Sequence, residues 1–455
     1  MLLLLRYVTV TLPVFRHVWT LDPHSPPKRL NMIRLFPMLL VASTLITGCA
    51  NRPPESNPLS SNVEILEANG TFSMTRNGKP FFVRGGGGQS HLDVLAAAGG
   101  NSIRTWGADD AGEVLDRAHQ NGLTVTLGIW LQHPRHGFDY NNKKAVAEQR
   151  EMVRQIVREH KDHPALLMWG VGNEVELASD PALVFPEINN LAKMIKKIDP
   201  NHPTMAVIAA AEGNKIERFI EMCPDVDVLG VNAYADVVDV PEALTAHGYT
   251  GPYLVTEFGP RGHWQSPTSA WRAPLEQTST EKAESYRVGY EAAVASQPGR
   301  CLGSYVFLWG QKQETTATWY GMFLPSGEST GTLDTMHRLW SGSEPTSRAP
   351  VIGPIESPVV LDLVDPDTEL WAEIAASDPD GDALTYEWLV VAESNDRKSG
   401  GDAEDAPSSL PDLTITNGPR ATFQTPSEQG AYRLFVKVTD GTGRAATANV
   451  PFLVR

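Results

Sequence analysis

Cysteine is almost missing: the 455-residue chain has three, at positions 49, 223 and 301. That is too few for a disulfide framework. With Cys49 set aside, only Cys223 and Cys301 remain, each near the start of a different expected strand. Two buried free thiols are expected there, with a disulfide as the alternative. Basic residues are also scarce, 38 against 54 acidic ones, for a net charge of −16 and a pI near 5.2. Nucleic-acid binding needs a basic face, so that class is excluded. An anionic polysaccharide is disfavoured more weakly, because the charge of a cleft need not follow that of the whole chain. A metal-ligand set is lacking too: neither His133 nor His136 has partners that read as a metal site, so no catalytic metal and no cofactor are expected. The apolar run at 35–46 is too short to span a bilayer.

What is present suits a globular protein of two or three domains. Hydrophobic residues make up 41% of the chain, enough for a sizeable core. Eleven tryptophans suit carbohydrate binding, since apolar sugar faces lie flat on aromatic rings, although tryptophan also fills cores.

The N-terminal region reads as a targeting segment. Met32-Ile33-Arg34 gives a short positive start before the apolar run, and Leu45-Ile46-Thr47-Gly48-Cys49 follows. This end resembles a bacterial lipobox, which implies lipidation of Cys49 and a membrane partner through the lipid anchor. Ala50, in place of Asp, points by the same resemblance to the outer membrane of the bacterial envelope, on its periplasmic or surface face. Residues 50–62 are the expected flexible tether. Residues 1–31 fit neither role and read as an upstream extension or a long leading segment.

Short apolar runs alternate with helical stretches from about residue 72, implying βαβ units and a parallel sheet. Eight strands are expected at 81–85, 102–106, 124–130, 166–171, 204–208, 226–231, 253–256 and 302–309. Helices are expected at 111–121, 144–160, 186–198 and 280–296. Eight such strands close a (β/α)8 TIM barrel over residues 63–343. A doubly wound open sheet accounts for the count less well. The run Gly85-Gly86-Gly87-Gly88 after the first strand suggests close approach to a ligand or a flexible loop.

In such barrels the active site lies at the C-terminal ends of the strands. Gly172-Asn173-Glu174 follows the fourth strand, Asn232-Ala233-Tyr234 the sixth and Glu257-Phe258-Gly259 the seventh. Arg104 and Trp106 end the second strand, Trp130 the third and Trp309 the eighth. Cleaving a glycosidic bond needs an acid for the leaving oxygen and a second carboxylate, and Glu174 and Glu257 can reach a sugar from opposite sides. His133 and His136 either line the cleft after the third strand or belong to a solvated loop. Trp264, Trp271 and Trp319-Tyr320 are candidates for further sugar subsites.

The segments Trp169-Gly170-Val171-Gly172-Asn173-Glu174 and Val255-Thr256-Glu257-Phe258-Gly259 resemble the two signatures of clan A glycoside hydrolases. The likeness is strongest to the barrel of family 2, with similarity to families 5 and 72. The stretches Asn77-Gly78-Lys79-Pro80 and Ile198-Asp199-Pro200-Asn201-His202 share it. The resemblance implies Glu174 as acid/base, Glu257 as nucleophile and Asn173 as a ligand of the sugar 2-hydroxyl. It further implies Arg104 and Tyr234 as partners of Glu257, and Trp309 as the floor under the sugar. Family 2 enzymes usually carry β-sandwich domains before the barrel, and no such domain is read here. The expected function is therefore a retaining β-glycoside hydrolase acting as a monomer on a β-linked oligo- or polysaccharide, β-glucan first. A transglycosylase using the same residues and a non-catalytic glycan-binding lipoprotein are the alternatives.

Residues 344–350 read as a linker, and 351–455 as a small all-β immunoglobulin-like sandwich. Strict alternation at 431–438 and the turn-rich Asp378-Pro379-Asp380-Gly381-Asp382 carry that reading. The segment resembles polycystic-kidney-disease-type repeats of secreted bacterial enzymes. The acidic turn reads as a plain turn, with calcium binding as the alternative.

Overall fold

A computed structural model describes residues 60–455 apart from 411, 412 and 414. Cys49, the leading segment and most of the tether lie outside the described residues. The chain first forms a three-stranded antiparallel sheet from β1 (Val63–Ala68), β2 (Thr71–Arg76) and β3 (Lys79–Phe81). Val63 and Met74 of this sheet join one apolar cluster with Val83, Leu167, Met205 and Leu254 from the barrel. The sheet thus packs against the barrel's lower interior.

Eight parallel strands then close a barrel: β4 (Val83–Gly87), β5 (Ser102–Arg104), β6 (Thr124–Ile129), β7 (Leu166–Asn173), β8 (Thr204–Ala209), β9 (Val228–Asn232), β10 (Tyr253–Phe258) and β11 (Cys301–Val306). A helix follows each: α1 (Leu92–Ala97), α2 (Ala111–Gln120), α3 (Lys143–His160), α4 (Pro181–Ile198), α5 (Lys215–Met222), α6 (Val240–Ala246), α7 (Ser279–Tyr290) and α8 (Gly331–Ser341). The strands are buried on both faces, as continuous apolar runs such as Leu166-Leu167-Met168-Trp169 require. The expected barrel is present, and the open-sheet alternative is not.

Local chemistry explains where the element ends differ from expectation. Helix α4 begins five residues before Pro186, because Asp180 accepts a hydrogen bond from the Ala182 N–H (2.9 Å) and Pro181 occupies the first helical position. Helix α7 starts from a reciprocal cap between Thr278 and Glu281 and ends in a π turn, Glu291–Ala295. The motif around Asp199 is structural. Asp199 accepts from Trp169 Nε1 (2.8 Å) and pairs with His202 (2.9 Å), and Ser61 meets the far side of that ring (2.9 Å).

The glycine run is neither a ligand cradle nor a loose loop. Gly85–Gly87 lie within β4, and a Cβ on Gly85 would stand 2.2 Å from the Tyr305 ring. A Cβ on Gly86 would stand 2.7 Å from Trp309. Glycine is needed there because the large side chains of the eighth strand and its loop fill the space. Cys223 and Cys301 are buried free thiols, so the disulfide alternative does not hold.

The C-terminal residues form two sheets. One has the order β12 (Val351–Glu356), β14 (Glu369–Ser377), β16 (Arg420–Gln424). The other has the order β13 (Leu363–Val364), β18 (Ala445–Val454), β17 (Gly430–Thr439), β15 (Thr385–Ala392). Ile374 and Phe423 of the first sheet share a core with Trp388, Leu434 and Phe452 of the second. The module is tied to the barrel by polar contacts, among them Arg433 to the Pro274 carbonyl (2.9 Å) and Asn449 to Glu276 (2.7 Å).

Gly85→Ala is expected to lose about 1–3 kcal/mol or more through overpacking against Tyr305, read as a lowered denaturation midpoint. A midpoint equal to wild type contradicts this account of the glycines.

Candidate active site

The residues at the strand ends form one hydrogen-bonded web. Arg104, at the end of β5, is buried inside the barrel mouth. Its Nη1 donates to the Thr256 carbonyl (2.9 Å) and to Glu257 Oε1 (3.0 Å), while Nη2 donates to Asn173 Oδ1 (2.5 Å). Glu257 also accepts from Trp106 Nε1 at Oε1 (2.7 Å) and from the Tyr234 hydroxyl at Oε2 (2.9 Å). Three donors, one of them cationic, therefore stabilise a negative charge on this carboxylate and fix its orientation.

Glu174 sits in a different setting. Its backbone lies in the left-handed region (φ 49), a conformation that costs a non-glycine residue energy and recurs at functional sites. Its Oε1 accepts one hydrogen bond, from Asn232 Nδ2 (2.7 Å). Loss of solvent around the carboxyl, and then the nearby charge of Glu257, push its pKa up to about 8. Two glutamates thus share one cleft in opposed environments, one charge-stabilised and one held protonated. Asn173 takes two donors on Oδ1, from Arg104 and from Asn232 (3.2 Å). Among the described residues no protein group takes a hydrogen bond from its amide nitrogen, and Asn173 lines the cleft. Burial, and next the charge of Glu257, raise the Tyr234 hydroxyl well above its ordinary range, so it remains a donor.

The cleft measures about 620 Å³. Trp106, Trp130, Asn173, Glu174, Tyr234 and Glu257 line it, as expected from the sequence, and Arg104 lies directly behind. Trp309 does not. It is fully buried, donates Nε1 to the His91 carbonyl (3.2 Å) and packs against Phe323 and Trp340. The chain turns at Phe307-Leu308, and these two apolar side chains face the cleft in its place. His133 also lies off the cleft, buried beneath Trp130, with rings stacked at 4.6 Å. Its burial and the neighbouring Arg135 lower its pKa to about 4, so it stays neutral. Of the tryptophans in the loops, Trp264 is 58% exposed and lines the cleft, while Trp319 and Tyr320 are buried behind Phe307 and Tyr234.

Several cleft residues were not foreseen. Asn232 stood in the sequence beside Tyr234, and its role depends on the register that pairs it with Glu257. Lys312 and Glu314 form an ion pair (2.7 Å) in the loop after β11. Ser399 to Asp402 reach the cleft from the C-terminal module, and no motif in the sequence signals that. The one group of carboxylates with metal-site spacing among the described residues is Asp378, Asp382 and Asp440, from two turns of the C-terminal module, none of them lining the cleft.

Residues 91–277 match the family described as glycosyl hydrolases family 2, TIM barrel domain. The β-glucuronidase of Paenibacillus borealis is 24% identical over 243 residues, covering 44% of this chain and 39% of its own. Human β-glucuronidase is 27% identical over 181 residues, covering 35% and 26% respectively. The chain therefore spans well under half the length of these relatives. Among solved structures, a Faecalibacterium prausnitzii β-glucuronidase aligns with a TM-score of 0.49 at 16% identity, over 62% of this chain and 52% of that one. Residues 91–277, which lie within the barrel, are thus similar to the family 2 barrel domain.

The raised Glu174 pKa has a stability consequence. A group that is protonated in the fold up to about pH 8, but only to about 4.5 when unfolded, makes the native state lose stability as pH rises between those values. Glu174→Gln carries no such loss. Its denaturation midpoint is expected to gain on wild type steadily from pH 5 to pH 8, and a pH-independent difference contradicts the assignment.

Proposed function

We propose that the protein is a retaining β-glycoside hydrolase. The observation that carries this reading is the pair of glutamates in opposed environments at the ends of β7 and β10. Glu257, oriented by Arg104, Trp106 and Tyr234, attacks the anomeric carbon. Glu174, protonated at neutral pH, gives its proton to the departing oxygen. Once the glycosyl–enzyme ester has formed, the charge on Glu257 is gone and so is its upward push on the Glu174 pKa. Glu174 then takes a proton from the incoming water, which releases the sugar with its β configuration kept. The Asn173 amide is free to hold the sugar 2-hydroxyl, and Trp106, Trp130 and Phe307 offer apolar faces to the ring.

The substrate proposed is a neutral β-linked oligo- or polysaccharide, with β-glucan first. Six carboxylates line the cleft (Glu174, Glu212, Asp236, Glu257, Glu314 and Asp402), against two lysines, Lys215 and Lys312. Lys312 is already paired with Glu314, and Lys215 donates to the Ala209 carbonyl. A β-glucuronide is the second reading, favoured by the named activity of the relatives. Transfer to a sugar hydroxyl instead of water uses the same residues and is read from product size.

The test is hydrolysis of aryl β-glucoside, β-galactoside, β-mannoside and β-glucuronide, followed by the matching oligosaccharides. Glu257→Gln should lose on the order of 10⁴-fold or more in kcat. Removing the acid in Glu174→Ala should cost about 10²–10⁴-fold on substrates with poor leaving groups, and far less on a dinitrophenyl glycoside. Wild-type activity should fall above about pH 8, where Glu174 ionises, and Glu174→Ala should lack that alkaline limb. A Glu257→Gln enzyme with full activity overturns the nucleophile assignment. Binding without turnover by wild type supports a glycan-binding protein instead.

The proposed location is the bacterial envelope, with a lipid on Cys49 facing the outer membrane, on the strength of the lipobox-like Leu45-Ile46-Thr47-Gly48-Cys49. Cells fed a radiolabelled fatty acid should label the wild-type chain and not Cys49→Ser. Equal labelling or equal membrane retention of both contradicts the anchor.

A further inference from the structure

The loop between β15 and β16 leaves the C-terminal module and crosses the barrel mouth. At one end Asp402 meets Arg135 in a two-pronged ion pair, Nη1 to Oδ2 at 2.9 Å and Nη2 to Oδ1 at 3.0 Å. His136 joins it at 3.1 Å, and Arg135 Nη1 also donates to the Ser399 carbonyl (3.1 Å). These barrel residues belong to the loop after β6, the third barrel strand. At the other end Lys312 Nζ donates to the Gly401 carbonyl (2.7 Å), and the Thr315 N–H donates to Glu404 (2.6 Å). Lys312 and Thr315 belong to the loop after β11, the eighth barrel strand. In a closed barrel of eight, the third and eighth strands stand well apart across the mouth. A segment bonded to both must pass over it.

The anchor is not a loose surface ion pair. The Arg135 side chain is 9% exposed, so the guanidinium is largely out of water and needs its carboxylate. Arg135 Nε also approaches His133 Nδ1 (3.4 Å), and the His133 ring stacks under Trp130. A chain of contacts therefore runs from Asp402 through Arg135 and His133 to an aromatic side chain of the cleft. The segment is stiffened by its own bonds, Lys398 N–H to Glu404 (2.9 Å) and Asp405 N–H to Asp396 (2.8 Å).

We propose that Ser399–Asp402 of the C-terminal module is a specificity element of the active site, a strap that closes the cleft beyond the sugar ring and steadies Trp130 as its platform. The proposal rests on the glycosidase reading and refines it. The strap also reaches the loop that carries Glu174, since a Cβ on Gly400 would stand 2.7 Å from the Leu177 side chain, and it closes one end of the cleft to a further sugar. The enzyme then takes one end of a β-linked chain and releases one sugar at a time. Arg135 and His133 are positioning residues, acting through Trp130.

The full chain is tested with β-linked oligosaccharides labelled at the reducing end, chosen from whichever sugar series the aryl glycosides identify. Wild type should shorten them by single residues and release no internal fragments. Arg135→Ala and Asp402→Ala should raise KM for the oligosaccharide by about tenfold or more and release internal fragments, with a smaller rise in KM for the aryl monoglycoside. Asp402→Asn, which keeps part of the hydrogen bonding, should lie between them and guards against a folding defect. Internal fragments from wild type at the outset, or wild-type products and KM from both alanine variants, overturn the strap. A wild type that turns over nothing sinks the reaction reading but not this one. The strap is then judged by hydrogen exchange over 130–136, which Asp402→Ala should accelerate; unchanged exchange there overturns it.

Discussion

The buried pair of Arg104 and Glu257, 3.0 Å apart inside the barrel mouth, is the contact on which the site depends. A guanidinium out of water has to be fully engaged, and Arg104 meets that need with Glu257, Asn173 and the Thr256 carbonyl at once. Those bonds fix the ends of β5, β7 and β10 relative to one another. They give Glu257 a stabilised charge, and that charge in turn contributes to holding Glu174 protonated. Replacing either member leaves the other as an uncompensated buried charge, so the geometry of the mouth and the electrostatics of the reaction are not separable.

The two carboxylates differ because of what surrounds them and not because of their residue type. Glu257 takes three hydrogen bonds from Arg104, Trp106 and Tyr234. Glu174 takes one, from Asn232, and its carboxyl is largely withdrawn from solvent. The fold produces this difference by placing them on strands on opposite sides of the barrel and giving each its own donors. The C-terminal module extends the arrangement outward, since its Asp402 pairs with Arg135, a partly buried arginine that belongs to the barrel.

How much of this the sequence showed follows from what kind of signal each part leaves. Strands buried on both faces leave continuous apolar runs, so the eight barrel strands were found, with no end displaced by more than three residues. Glu174, Glu257, Arg104 and Tyr234 were legible because the C-terminal ends of strands converge in a closed barrel. Trp309 was misplaced because the eighth strand ends at Val306, and the two residues after it turn toward the cleft and carry Trp309 into the core behind. The glycine run was misread because its cause is a tyrosine and a tryptophan more than 200 positions away. The strap left no local signal at all. Its partners, Arg135 and Asp402, are 267 residues apart.

The most direct test of the central claim is to trap the intermediate. An activated 2-deoxy-2-fluoro β-glycoside of the preferred sugar slows breakdown of the glycosyl–enzyme, and peptide mass spectrometry then locates the sugar. The account predicts one sugar on the peptide that carries Glu257, and none in Glu257→Gln. A sugar on any other residue, or turnover of the natural glycoside with inverted configuration and no adduct, would contradict it.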